Sequence, residues 1–298
     1  MPLFYFMENT VHTPDNPVHA KSAPCRDAPG LTEIISMTLK LNRRIFLAWA
    51  ASTALAAPAQ VSDMNDAINK AGRQRMLSQR MAKAYLCLGQ QVQVPAAAKV
   101  LDQSLALFDR QLVELKSFAP AGPVRDTYTQ LESEWSVYKS LLVGTTPAAT
   151  KAAELLVQDA KVLALANKGT GLLEQMSGKP VGKLVNIAGR QRMLSQRMAK
   201  YYLSMAWKID TTTSSAELSK ARTEFVAALE TLRNAPEASA EIKQELVLAD
   251  AQWLFFDTTL KTHATSNGRG ASDVFVTSEN LLQVMDKVTT LYARINKS

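Results

Sequence analysis

One stretch of eighteen residues occurs twice in this chain. Asn-Lys-Ala-Gly-Arg-Gln-Arg-Met-Leu-Ser-Gln-Arg-Met-Ala-Lys-Ala-Tyr-Leu begins at Asn69, and from Asn186 the chain repeats it with sixteen of eighteen positions unchanged, at an offset of 117. An internal repeat of this kind means that both copies adopt one local structure and that each opens an equivalent unit. The likeness continues more faintly. Phe108, Leu112 and Leu115 answer Phe225, Leu229 and Leu232 at the same offset, while Trp135 answers Trp253 one residue out of register. The chain therefore divides into two homologous halves, 60–178 and 179–298.

Helix breakers cut each half into four stretches. They fall at Gln93–Pro95, Ala119–Pro123 and Gly144–Pro147 in the first half, and at Asp210–Ser215, Asn234–Ala238 and Thr265–Ser272 in the second, with Ser177–Pro180 between the halves. Between them the apolar residues step by three or four, as in Leu101, Leu105, Phe108, Leu112 and Leu115, and β-branched alternation is absent. Thr146-Pro147 reads as an N-cap followed by proline, and Ser214-x-x-Glu217 as a capping box. Amphipathic helices joined by short connections favour antiparallel bundles. The expected fold is all-α: two tandem antiparallel four-helix bundles.

The repeated helix carries two faces. On a wheel of 3.6 residues per turn, Gln74, Leu77, Met81, Ala84 and Tyr85 form the face toward the bundle core. A second stripe holds Ile68, Gly72, Arg75, Met76, Gln79 and Leu86, flanked by Arg73 and Arg80. The second copy presents Gly189, Arg190, Arg192, Met193, Gln196 and Arg197. Glycine in mid-helix costs about 1 kcal/mol relative to alanine, and is useful where a backbone or ligand must come close. Arginine offers a planar fork of donors suited to a planar oxyanion. Arg75 and Arg192 beside Gly72 and Gly189 are the candidate anion clamp; Arg73, Arg190, Arg80 and Arg197 read as salt-bridge formers, with Gln79 and Gln196 as secondary site residues. Met76, Met81, Met193 and Met198 read as packing residues, Trp135 and Trp253 as core anchors, and Tyr85 and Tyr202 as bundle-closing residues.

This motif resembles the signature of the PilJ-type N-terminal domain of type IV pili chemotaxis transducers, and is similar to the ligand-binding helix of nitrate/nitrite sensor histidine kinases. The pattern Asn-x-Ala-Gly-x-x-Arg-Met-x-Ser-x-Arg runs over Asn69–Arg80 and Asn186–Arg197. The resemblance implies a periplasmic four-helix bundle that binds nitrate or nitrite at a dimer interface, through the arginine of Arg-Met from each facing helix and nearby glycine backbone, here Arg75, Gly72, Arg192 and Gly189. The chain departs from the nitrate sensors at Arg73-Gln74 and at Gln79. It leaves open whether the motif helices pair within one chain or across a homodimer. Ser298 follows directly on the last helix, so we expect no output domain in the chain and expect signalling through a membrane sensor kinase or chemotaxis transducer. The alternative is a protein interaction module in which the arginine stripe packs on such a transducer, a kinase or a pilus-related partner.

Residues 1–36 lack helical periodicity and read as an extension outside the folded protein. Met37 then opens a basic segment (Lys40, Arg43, Arg44) and an apolar run from Ile45 to Ala59, too short for a transmembrane helix of about 20 residues. Residues 37–59 therefore read as a twin-arginine-like signal peptide for export to the periplasm, with an uncleaved anchor as the alternative. A net charge of +7 over 298 residues, without a dense basic stripe, does not suggest a nucleic-acid partner. Three histidines and two cysteines, Cys25 and Cys87, provide no metal-ligand set. No catalytic constellation or cofactor fingerprint is present, so neither an enzyme nor a cofactor is expected.

Overall fold

The computed structural model describes residues 60–144, 146–261 and 269–295. The segments read as extension and signal peptide, and His263, lie outside them. Eight helices and no strand occur among the described residues: α1 Met64–Gly89, α2 Val94–Phe118, α3 Pro123–Val143, α4 Ala149–Ser177, α5 Pro180–Ala206, α6 Thr211–Arg233, α7 Ala240–Lys261 and α8 Arg269–Arg294. None of them is long and apolar enough to cross a membrane.

Local chemistry sets the helix starts. The Asp63 carboxylate accepts the Asp66 amide at 2.8 Å and caps α1. Pro123 and Pro180 stand in the first turns of α3 and α5, where a missing N–H costs nothing. Two expected caps are corrected. Asp210, not Ser214, caps α6 by accepting the Thr213 amide at 3.2 Å, so the helix starts about a turn earlier. Ser214 is then buried within that first turn, bonded to Ser204, and Glu217 is turned toward Arg197. The N-cap of α4 is Ala148, not Thr146, and has no capping side chain; its amide points at the Tyr85 hydroxyl instead.

The eight helices pack as two four-helix bundles, α1–α4 and α5–α8, joined through their motif helices. Each motif helix carries buried residues on both of its faces. Leu77, Met81, Ala84 and Tyr85 are fully covered, and so are Ile68, Gln79 and Leu86 of the second stripe. One face of α1 serves its own bundle through α2 and α4; the other serves α5. The two motif helices run parallel and nearly in register. Gly182 of α5 lies against Ile68 near one end, Gly72 faces Gly189 in the middle, and Trp207 covers Gly89 at the other end. A Cβ on Gly72 would stand 3.7 Å from the Gly189 Cα, so the absence of side chains allows this close approach. The last helix of each half bridges the pair, α8 touching α5 and α1, and α4 touching α1 and α5.

The outer layers are built alike. Phe108 stacks on Trp135 at 4.0 Å, and Phe225 on Trp253 at 4.5 Å. Trp135 is buried, while Trp253 is partly covered against the same core. The four motif methionines are buried packing residues, as is Tyr85, and Tyr202 is nearly covered.

Candidate functional site

Arg75 and Arg192 meet at the crossing of α1 and α5. The Nη2 atoms of Arg75 and Arg192 lie 3.2 and 3.5 Å from the point a Gly72 Cβ would occupy; the mirror values at Gly189 are 3.6 and 3.3 Å. Both side chains are essentially fully buried. Each reaches backward along the partner helix, Arg75 Nη2 donating to the Asn186 carbonyl at 3.2 Å and Arg192 Nη2 to the Asn69 carbonyl at 3.0 Å. Asn69 and Asn186 open the motif, so these contacts are reciprocal. The Nε of each arginine is buried without a hydrogen-bond partner among the described residues.

The reciprocity ends at the outer partners. Arg192 Nη1 donates to the Asp286 carboxylate at 2.5 Å, and Arg73 shares the same oxygen at 2.9 Å. Arg75 Nη1 instead donates to the amide oxygen of Asn167 at 3.0 Å, and its Nη2 to the Asn186 side chain at 2.7 Å. Among the described residues Arg75 thus has neutral acceptors and no ion pair. Burial, followed by the charges of Arg190 and Arg192, pulls its pKa down to about 9. Burial likewise brings Arg192 down to about 10, although Asp286 opposes it. Burial would raise the Asp286 carboxyl, but Arg192 and Arg73 outweigh it and hold it at about 2.

The secondary residues are placed as follows. Arg80 clasps Glu279 of the other half, with Nε to Oε1 at 3.0 Å, and the fully buried Lys83 joins it at 2.6 Å. Arg190 pairs with Glu224 at 2.8 Å and Arg197 with Glu217, both within the second half. Gln79 donates to Asp159 at 2.7 Å, and Asp159 also takes Lys200 at 2.6 Å; Gln196 donates to the Ser278 carbonyl at 2.9 Å. Sequence reasoning missed Asn167, Asp286, Asp159 and Glu279, which lie on α4 and α8 outside the repeated stretch. The arginine stripe is consumed by the intramolecular pair of motif helices. Its apolar and glycine positions are covered by α5. Among the described residues no group of His, Cys, Asp and Glu is placed to hold a metal, and the Cys87 thiol is buried with its pKa pushed up to about 12.

Two equivalent bundles joined along parallel motif helices, with paired buried arginines at the crossing, define a tandem helical module. The chain belongs to the PilJ family, described as the type IV pili methyl-accepting chemotaxis transducer N-terminal domain, which matches it twice, over residues 57–163 and 177–275. That family is a non-catalytic sensing module. No curated protein and no solved structure matches the chain.

Proposed function

We propose that the two PilJ copies form one composite receptor for a small planar oxyanion of the nitrate or nitrite type, with one arginine supplied by each copy. The observation that carries this reading is Arg75, a fully buried guanidinium that bonds directly only to amide and carbonyl oxygens, the Glu174 carboxylate standing behind Asn186. A buried charge without a directly bonded counterion is costly to maintain, and an arriving anion would supply that direct partner. Asn167 is exposed on α4 and Asp286 is partly open on α8, so each arginine is one residue removed from solvent. An oxyanion that displaces the Asn167 amide gains Arg75 Nη1, with the Gly72–Gly189 crossing alongside. In this reading the leader at 37–59 exports the chain to the periplasm, and a membrane sensor kinase or chemotaxis transducer receives the signal.

Charge-assisted contacts worth about 1.5–3 kcal/mol each place the dissociation constant between tens of micromolar and millimolar. Isothermal titration with sodium nitrate and sodium nitrite tests the proposal. Saturable heat that is lost in Arg75→Gln supports it. A wild-type chain that gives no heat, or an Arg75→Gln chain that binds as well, overturns it.

A further inference from the structure

The two junctions between last helix and motif helix are related by the repeat, yet they hold different carboxylates: Glu279 and Asp286 at one, the buried Asp159 at the other. At the α8–α1 junction Glu279 takes Arg80 and Lys83, while Asp286 takes Arg73 and Arg192. The motif helices correspond at an offset of 117. The last helices correspond at 119, as Asp159 and Ser278 show by receiving Gln79 and Lys200 on one side and Gln196 and Lys83 on the other. Carried across, Arg73, Arg80 and Lys83 become Arg190, Arg197 and Lys200, whereas Glu279 becomes Ala160 and Asp286 becomes Asn167. The cations are kept and both acids are gone.

The α4–α5 junction is consequently a groove of about 230 Å³, lined by the cations Arg190, Arg197 and Lys200 and by apolar Ala160, Leu163 and Met193. Tyr201 forms part of its wall, with the Lys200 ammonium 4.2 Å from the ring centroid. Arg190 and Arg197 turn away to Glu224 and Glu217 on α6, but all four side chains are partly exposed. Pairs of that kind are worth about 0–1 kcal/mol, so the guanidiniums can exchange them for a better acceptor. Lys200 stays with the buried Asp159 at 2.6 Å, so Arg190 and Arg197 are the cations that can turn to a carboxylate, and the apolar lining calls for carbon rather than a bare hydrated ion. At about 230 Å³ the groove is smaller than the roughly 300–1,000 Å³ of drug-sized pockets and suits a short organic acid.

We infer that this groove binds a small organic dicarboxylate, one carboxylate standing where Glu279 stands in the twin junction. The site is separate from the Arg75–Arg192 crossing and does not rest on it, although Asn167 borders both.

Calorimetric titration of the full chain with sodium succinate, glutarate and adipate, and separately with sodium nitrate, tests this. At least one dicarboxylate gives saturable heat. Ala160→Glu, which restores the twin's internal acid, weakens that binding at least tenfold without lowering the melting temperature, and Arg197→Gln weakens it similarly. Should Ala160→Glu melt lower, Arg197→Gln alone decides. Absence of heat with all three acids, or unchanged affinity in the deciding variant, overturns the inference. Nitrate heat without dicarboxylate heat rejects the groove alone, and the converse rejects the crossing alone.

Discussion

Replacing Glu279 with glutamine removes the acid that ties α1 of the first bundle to α8 of the second. Lys83 is fully buried beneath that carboxylate, and burial keeps its own pKa low even though Glu279 pulls it upward. Burial would also raise the Glu279 carboxyl, but the Lys83 and Arg80 charges prevail and bring it from an ordinary 4.5 to about 2. At about 1.36 kcal/mol per pH unit, that gap corresponds to about 3 kcal/mol, the scale expected when one partner of a buried pair is lost. The sign follows from linkage: a carboxyl depressed on folding stabilises above its unfolded pKa, and the contribution fades as pH falls from about 4.5 to about 2. Guanidinium chloride unfolding of wild type and Glu279→Gln at pH 7 should differ by about 3 kcal/mol. At pH 3 the two should have converged by about 2 kcal/mol. A difference below about 1 kcal/mol at pH 7, or one that ignores pH, would refute the claim that this ion cluster couples the two bundles.

Arg75→Met and Arg192→Met should separate in the same assay. Arg75 lacks a carboxylate partner among the described residues, so its replacement by an apolar side chain changes stability by less than about 1 kcal/mol or raises it. Arg192→Met breaks the bond to Asp286 and costs about 1–3 kcal/mol. Equal losses would mark Arg75 as a structural residue. The turns after α1 and α5 place Gln91 and Lys208 at φ of 56° and 60°. Glycine adopts that backbone without the Cβ clash, so Gln91→Gly and Lys208→Gly should each add about 1 kcal/mol to stability, read from denaturation midpoints. Midpoints that fall instead would show that the side chains outweigh the backbone strain.

Much of the fold is legible in the chain because glycine, proline and polar clusters interrupt helical periodicity at equivalent places in both halves. The helix starts are less legible. Ser214 and Glu217 have capping-box spacing, but Asp210 starts the helix one turn earlier by capping the Thr213 amide, which leaves Ser214 inside the first turn. The second stripe of the motif helix announces itself by mixing Gly72 and Arg75 with Ile68 and Leu86, a composition unsuited to a solvated face. What it packs against is not encoded locally. Asn167 and Asp286 escape notice for another reason: the halves drift by two residues of register before their last helices, so comparison at 117 does not align them. The difference between an amide beside Arg75 and an acid beside Arg192 becomes visible only when α4 and α8 are set against the motif pair.

The short passage from Ser177 to Pro180 makes the encounter of the two arginine helices an intramolecular event. A tether of this length keeps its ends at a high effective concentration, so dilution does not separate the pair. It also releases the two units from identity. An assembly of identical subunits must carry one residue type at both related positions, whereas a fused pair can place asparagine at one and aspartate at the other. A fused pair built in this way has a built-in polarity, with one arginine set against an acid and the other against an amide.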